Sequence, residues 1–473
     1  MLIKRSLYPQ IKEHLSTPDV FTLIIGPRQA GKTTLMDLLK KHLDNKGEKT
    51  MFLNVDISSH KPYFASQEQL VHAIRLEVGE GSGYIFLDEI QRIENAGLFL
   101  KGLYDMKLPY KFIISGSGSL ELKEKIHESL PGRKRLFQMT TLSFEEFVNF
   151  KTEYRFSKPD EAPTTLRSGF HSNTSLGVKS LRSRKSSHSF PILRSGFSAK
   201  GDKELIDLAA VFDVHKESLR TLLDEYLNFG GYPRVVLADT SEKKRIEIDD
   251  IYQSYLQRDI EQLLNIKKTD RFGNLVRMIA AQAGNLVNVT ELSRSLGVAQ
   301  ETINNYLWYL EQTFIVKKVT PYFRNVRSEI TNSPTYYFVD LGLKNFSINQ
   351  FGIATQLIPP PGMLFENFVF NDLHERLRLQ LSSATIHFWR TQEKAGVDFV
   401  INTGLNAIPV EVKYATFTAP QTTRSFRSFL DRYKPKEAYI VHLGEYFQTT
   451  YEGTTIHFLP FYNLQAIIDH IVK

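Results

Sequence analysis

Eight residues near the N-terminus, GPRQAGKT from Gly26 to Thr33, place two glycines, a lysine and a threonine at the spacing G-x-x-x-x-G-K-[ST]. Such a loop (Gly26, Pro27, Arg28, Gln29, Ala30, Gly31) can curl until successive main-chain N–H groups point inward at phosphate oxygens. Lys32 then reaches the outer phosphates, Thr33 offers a hydroxyl to Mg²⁺, and Thr34 continues the cradle into the next helical turn. That helix N-terminus adds a partial positive charge. A second pair, Asp88–Glu89 in YIFLDEIQRI, ends an apolar run. Asp88 can complete a Mg²⁺ shell through water, and Glu89 can take a proton from an attacking water. Ser115, at the tip of KFIISGSGSLEL, is placed to sense a terminal phosphate or to end a strand as an ordinary turn.

A third set lies near the C-terminus. Asp398 in AGVDFVINTG stands thirteen positions before Glu411 in IPVEVKY, with Lys413 two residues on. Strand alternation sends Glu411 and Lys413 to one face and Val410 and Val412 to the other. Two carboxylates meeting at hairpin strands make a hard oxygen site for Mg²⁺. Lys413 beside them can orient a water or offset phosphate charge. This is the arrangement of the PD-(D/E)xK nuclease fold, with Val397 where the motif has proline. Glu366, on the helical stretch GMLFENFVFNDLHERL, would be an additional ligand, and Arg390 in HFWRTQ would suit a phosphate contact. The alternative is a same-face ion pair between Glu411 and Lys413, with Asp398 bound to loop amides.

The elements that must hold these residues are readable in outline. FTLIIG, TMFLNVD, GYIFLDE and KFIISGS read as short buried strands separated by helical patterns, which calls for a parallel sheet covered on both faces. ELIDLAAVFD, ESLRTLLDEYLNFGG and KRIEIDDIYQSYLQRDIEQLL then read as three helices. In NVTELSRSLGVAQETINNYLWYLEQTFIVKKVTPYF, Thr290 can cap a short helix, Gly297 makes a turn, and a second helix runs from Ala299 to about Leu310. Two strand-like runs follow, so this part reads as a winged helix-turn-helix. The second helix turns Gln300, Glu301, Asn304 and Asn305 outward without a basic residue, and only Lys317 and Lys318 add charge toward the wing. A connector or protein dock therefore suits it better than a DNA reader. Strands and helices alternate again from TYYFVDLGLKN onward.

In chain order, GPRQAGKTTLM, IFLDEIQRI, IISGSGSLEL and ESLPGRKRLFQMTTLSFEEF resemble prokaryotic AAA-superfamily ATPases in which a C-terminal domain of unknown function follows the ATPase core. YLNFGGYPRVV, YLQRDI, LFENFVFNDL and VDFVI…IPVEVKY agree with the same family. The resemblance covers nearly the whole chain apart from residues 162–201. It implies an ATPase using ATP and Mg²⁺, and a C-terminal domain with a PD-(D/E)xK nuclease-like core. It also implies that Arg133 in PGRKR, or Arg135 in its place, acts as an arginine finger on the γ-phosphate of a neighbour in a homo-oligomer. A basic surface loop is the alternative. In YLQRDI, Arg258 beside Asp259 would link nucleotide state to the C-terminal domain or form a solvent-facing pair.

Composition sets the outer bounds. At 473 residues with 42% apolar content, the chain is long enough for two to four domains. It has no cysteine, which excludes disulfides, zinc ribbons and thiol catalysis. No run of 18 apolar residues exists and the start MLIKRSLYPQ lacks a secretion signal, so the expectation is cytoplasmic, with no membrane partner. The net charge of +7 equals the seven basic residues, with no acidic ones, lying between Glu161 and Asp202. That Ser-rich stretch is bracketed by a repeated LRSGF and reads as an inserted, disordered segment; a basic arm for nucleic acid is the alternative.

The expected architecture is α/β: a P-loop NTPase parallel sheet, a helical and winged-helix middle, and a C-terminal restriction-endonuclease-like α/β domain. Expected boundaries are 1–150 for the ATPase, 151–202 for the insert, 203–264 for a helical lid, 265–330 for the winged helix and 331–473 for the nuclease-like domain. The expected function is ATP binding and hydrolysis controlling that last domain. Alternatives are an ATP-regulated Mg²⁺-dependent DNA nuclease, or a switch that binds a protein or DNA partner without cleavage.

Overall fold

The computed structural model describes residues 3–17, 19–117, 130–152, 208–255, 269–323, 333–357, 362–380, 382–391 and 395–472. The basic segment from residue 153 and the Arg258–Asp259 pair lie outside them.

Five strands form the N-terminal sheet: β1 (Phe21–Gly26), β2 (Thr50–Asn54), β3 (Gly83–Asp88), β4 (Tyr110–Ser117) and β5 (Lys134–Gln138). They are all parallel, in the order β2-β3-β4-β1-β5. Apolar runs become strands here because both faces are covered. Phe21, Leu23, Ile25, Ile85, Leu87, Phe112 and Ile114 face α3 (Gln67–Glu77) and α4 (Ala96–Asp105). Ile24, Phe86, Ile113 and Phe137 face α1 (Tyr8–His14) and α2 (Lys32–Asp44). Alternate residues thus feed opposite cores. The chain order brings the C-terminal ends of β3, β4 and β1 side by side, carrying Asp88, Ser115 and Gly26 to one edge. Strand β5, KRLFQ, was not among the four strands read from the sequence, because a half-exposed edge strand lacks the continuous apolar run.

After β5 the chain leaves this sheet. Ser143 and Glu146 form a reciprocal capping box that starts α5 (Phe144–Lys151). Phe144, Phe147 and Val148 lie on one helix face and bury into a core shared with α6 (Leu208–Phe229) and the C-terminal unit. Phe144 packs edge-on against Tyr226 at 5.5 Å and Phe368 at 5.4 Å. The expected boundary at residue 150 falls one residue before the end of α5.

The middle contains α6, α7 (Pro233–Leu237), α8 (Ser241–Ser254), α9 (Thr269–Ala281), α10 (Val289–Leu296) and α11 (Gln300–Gln312). Strands β6 (Val316–Val319) and β7 (Thr335–Phe338) pair antiparallel, and α12 (Leu341–Ser347) follows. Two helices expected before Gly230 are one from Leu208 onward, since no glycine or proline interrupts the backbone. The cap of α10 is Asn288, whose side chain accepts from the amides of Thr290 and Glu291; Thr290 sits inside the first turn. Gly297 closes that helix at φ 62°. The expected boundary at 330 falls inside the β6–β7 pair.

The C-terminal unit opens with α13 (Gly362–Leu379), then β8 (Thr385–Arg390), β9 (Gly396–Asn402) and β10 (Ala407–Val412). Next come α14 (Arg424–Tyr433), β11 (Glu437–His442), β12 (Phe447–Tyr451), β13 (Thr454–Pro460) and α15 (Gln465–Val472). The sheet order is β12-β13-β11-β10-β9-β8. The β8–β9–β10 meander is antiparallel, whereas β10, β11 and β13 run parallel.

Replacing Phe144 with alanine should cost about 3–5 kcal/mol, as for other large aromatic truncations in cores. Urea unfolding followed by tryptophan fluorescence measures it; a loss below ~1 kcal/mol contradicts the shared core.

Candidate functional site

The glycine loop turns where β1 ends. A Cβ on Gly26 would stand 2.2 Å from the carbonyl oxygen of Met139, so only glycine fits beside the chain leaving β5. Gln29 and Gly31 take left-handed backbone, φ 58° and 95°, and Gly31 is the N-cap of α2. The buried Lys32 ammonium donates to the carbonyls of Gly26 (3.1 Å) and Pro27 (2.8 Å) across the mouth of the loop.

Asp88 is completely buried at the end of β3. One oxygen accepts from the Thr33 hydroxyl (2.8 Å) and the Asn54 amide (2.9 Å). The other accepts from the Ser115 hydroxyl and the Glu89 N–H (3.1 Å). Three neighbouring strands and the first turn of α2 thus converge on one carboxylate. Glu89 follows in left-handed backbone, φ 57°, uncommon for a residue with a side chain, and its carboxylate accepts from the Gln91 amide. The Thr33 hydroxyl and Asp88 carboxylate form an oxygen donor pair suited to a hard divalent cation. Among the described residues no group of three or more His, Cys, Asp or Glu is placed to hold a metal. A cation here would draw its other ligands from phosphate and water, as Mg²⁺ commonly does.

Sequence reasoning missed three residues at this edge: Asn54, Gln91 and Arg234. Arg234, from GGYPR at the start of α7, donates to the Gln29 side chain at 3.1 Å and lies 2.6 Å from Glu247. The glycines before it are clamped. Gly231 donates to Asp340 (2.8 Å) and accepts from the Leu142 amide (2.8 Å). A Cβ on Gly231 would meet the Leu142 oxygen at 2.3 Å, and one on Gly230 (φ 74°) would meet Asp340 at 2.3 Å. Burial pushes the Asp340 carboxyl up to about 6. The sequence signals were the Gly-Gly-x-Pro punctuation and the family-like stretch YLNFGGYPRVV around it.

Arg133 does not join the site. Its carbonyl accepts from Phe21 at the start of β1, roughly a strand's length (~17 Å) from Gly26. Its guanidinium pairs with Asp105 (3.2 Å) and lies over the Tyr104 ring. The expected finger is thus engaged within its own chain at the opposite sheet edge. Arg135, the alternative, lies over Phe137 on β5.

The C-terminal acids gather on α13, β9 and β10. Val410 and Val412 turn into the core with Phe365 and Phe368, and Glu411 takes the other face. One Glu411 oxygen is 2.9 Å from Lys413 and accepts from Thr423 (3.1 Å); the other is buried with no hydrogen-bond partner. Between β8 and β9 the register shifts at Phe388, which opposes both Asp398 and Phe399. This bulge re-aims Asp398, which accepts from the Val412 N–H at 2.7 Å. Glu366 on α13 accepts from the Tyr337 hydroxyl of β7. Burial, then the Asp398 charge, pushes Glu366 up to about 8. Burial, then Glu411, pushes Asp398 up to about 6. Burial lowers Lys413, but Asp398 and Glu411 outweigh it and hold the ammonium above its usual value. Arg390 acts on Glu366 and Asp398 from β8, lowering both.

On α11, Gln300, Glu301, Asn304 and Asn305 are exposed. Lys317 instead lines a small cavity of about 40 Å³ with His374 and Glu375, so it does not extend a basic wing surface.

Comparison with known proteins adds three partial matches. Residues 19–148 match the model of an AAA domain. Residues 220–352 and 361–464 match two domains of unknown function, DUF8612 and DUF4143. With the parallel sheet and its glycine loop, the first match marks the N-terminal unit as an AAA-type P-loop domain. An uncharacterized protein of Mycobacterium tuberculosis is 26% identical over 426 residues, 90% of this chain and 76% of that one. An uncharacterized Haemophilus influenzae protein is 23% identical over 98% of this chain and 99% of its own. Among solved structures, a Walker-type ATPase of Pyrococcus abyssi overlaps 73% of this chain and 96% of its own, at 14% identity and TM-score 0.37. DnaA of Aquifex aeolicus bound to AMPPCP overlaps 66% and 90%, at 12% and TM-score 0.24. No helix among the described residues is long and apolar enough to cross a membrane.

The raised acids make a pH prediction. The folded chain keeps protons on Asp398 and Glu366 that the unfolded chain releases near pH 4, so these groups make stability fall as pH rises from about 4 to 8. Asp398→Asn keeps the acceptor for Val412 and removes the charge. It should therefore stabilise by roughly 1–3 kcal/mol at pH 8 and by little at pH 4. Urea midpoints at the two pH values measure this, and equal effects at both would contradict it.

Proposed function

We propose that this chain binds ATP with Mg²⁺ and hydrolyses it, and that its nucleotide state acts on the C-terminal unit. The observation carrying this reading is the Thr33–Asp88 contact, which joins the glycine loop to the acidic strand end at one sheet edge. The loop amides and Lys32 hold the phosphates, Lys32 exchanging its carbonyl partners for phosphate oxygens. Thr33, directly, and Asp88, through water, would hold Mg²⁺, which supplies charge neutralisation on the phosphates. Glu89, released from Gln91, takes a proton from water as its oxygen bonds to the γ-phosphorus. The bond from that phosphorus to the β–γ bridging oxygen breaks, leaving ADP and phosphate. Ser115, beside both Asp88 and the Glu89 amide, orients the water or terminal phosphate. Arg234, already on the loop residue Gln29, is better placed than Arg133 to meet phosphate from within the same chain. No N-K-x-D tetrapeptide occurs, which favours adenine over guanine.

The shared core changes how nucleotide state would be transmitted. Because α5 packs with α6, α13 and the C-terminal sheet, the C-terminal unit does not swing alone. The movement that remains is of the N-terminal sheet against this combined core, about residues 139–142 and Gly230–Gly231. Phosphate release should fall ~10²–10⁴-fold in Glu89→Gln, with nucleotide still bound, and binding itself should be lost in Lys32→Ala. Equal release by both variants and wild type would remove the hydrolysis assignment.

A second reading rests on the buried, unpartnered oxygen of Glu411. We infer a Mg²⁺-dependent nucleic-acid site at Asp398, Glu411 and Lys413, in a PD-(D/E)xK-like core of α13, β8–β10, α14 and β11. The two carboxylates would hold the ion, with water and phosphate completing its shell, and Glu366 stands nearby on Tyr337. DNA is the partner this reading requires; a protein partner or a homo-oligomer fits the switch alternative. With Mg²⁺ and ATP, purified protein should nick supercoiled DNA, and Asp398→Ala or Lys413→Ala should abolish it. Nicking unaffected by either change would exclude the site.

A further inference from the structure

The nucleotide reading leaves unexplained a buried arginine far from it in sequence. Arg5 lies just before α1, and its side chain is only 7% exposed. One guanidinium nitrogen donates to the carbonyl of Ala30, inside the glycine loop, at 2.8 Å. Another donates to the carbonyl of Thr140 at 2.6 Å and lies 3.4 Å from that of Thr141, on the chain leaving β5. Its Nε is 3.2 Å from Glu146, itself 6% exposed. Glu146 also accepts from the Ser6 amide (2.6 Å) and hydroxyl (2.9 Å), while capping α5.

A peptide group is planar and trans, so fixing its C=O also fixes the N–H on the opposite side. The group whose oxygen Arg5 holds runs from Ala30 to Gly31, where the backbone is left-handed (φ 95°) and free to flip. With the Ala30 oxygen anchored behind the loop, the Gly31 N–H is turned to the loop's inner side, where phosphate would lie. The cation also polarises that peptide, making its N–H a stronger donor.

We propose that Arg5 is a positioning residue of the nucleotide site, orienting the Ala30–Gly31 peptide toward phosphate and tying the glycine loop to α5. This rests on the nucleotide reading above. The N-terminal segment is then part of the binding machinery, although it touches no nucleotide. Glu146 stands beside the guanidinium as its buried counter-charge. Through α5 the loop is connected to the core that includes the C-terminal sheet.

The test uses the full chain, a fluorescent ADP analogue with Mg²⁺, and two variants. Arg5→Lys keeps a charge for Glu146 but cannot reach both carbonyl groups at once. Arg5→Gln with Glu146→Gln removes both buried charges together, so neither is stranded. Both variants should bind the analogue at least about tenfold more weakly while melting close to wild type without nucleotide. In ATP turnover the apparent KM should rise with kcat little changed, as for lost binding common to ground and transition states. Wild-type affinity in both variants would overturn the proposal. So would a double variant whose melting temperature falls along with its affinity, since Arg5 would then only hold the fold. If wild type itself binds no nucleotide, the nucleotide reading fails and takes this proposal with it.

Discussion

A single carboxylate, Asp88, organises the nucleotide edge. Removing a charged group wholly from water is costly unless donors replace the lost hydration. Here four do so, from Thr33 on α2, Asn54 on β2, Ser115 on β4 and the Glu89 amide. The strand order brings those groups together: β3 lies between β2 and β4, and β1 with its loop stands next to β4. The loop, the threonine and the general-base candidate therefore sit where they do because one buried acid needs all of them. Glu89, immediately after it, is left in an uncommon backbone conformation at the mouth of the site.

Behind the loop a second set of polar contacts does comparable work. Arg5 and Glu146 join the glycine loop, the exit from β5 and the cap of α5. Asp340 and Leu142 grip Gly231, two residues before Pro233 and three before the arginine resting on Gln29. The nucleotide edge is therefore bounded by two joints, both ending on elements buried in the core shared by α5, α6, α13 and the C-terminal sheet. Tyr337 extends this continuity to the acid cluster through Glu366, and Asn367 holds both backbone groups of Phe338. The C-terminal acids are thus mechanically attached to the middle of the chain.

What the sequence revealed depended on how local the physics was. The glycine loop, the apolar strands β1, β3 and β4 and the acids that end β3 are each defined by a few consecutive residues, and were readable. Strand β5 was not, because its exposed edge position leaves KRLFQ without an apolar run. Nor was the allegiance of α5: Phe144 and Phe147 announce an apolar helix face, but their partners Tyr226 and Phe368 lie far along the chain. The expected boundary falls between β6 and β7, because the pairing of these strands is a contact across the intervening chain that neither strand's own residues announce. For Arg133, the charge is visible in PGRKR, whereas its place at the far end of β1 and its pairing with Asp105 are not. At the C-terminal site, alternation placed Glu411 and Lys413 together, but the bulge that re-aims Asp398 comes from pairing with β8 and left no mark in AGVDFVINTG.

The central claim is that the edge formed by the glycine loop and Asp88 captures a nucleoside triphosphate with magnesium. Isothermal titration calorimetry of the full chain with ATP tests it most directly. The account predicts saturable binding of one nucleotide per chain that requires Mg²⁺ and is weakened by EDTA. Absence of measurable heat with ATP or GTP at about millimolar concentration, where even a ~1 mM Kd would register, would contradict it.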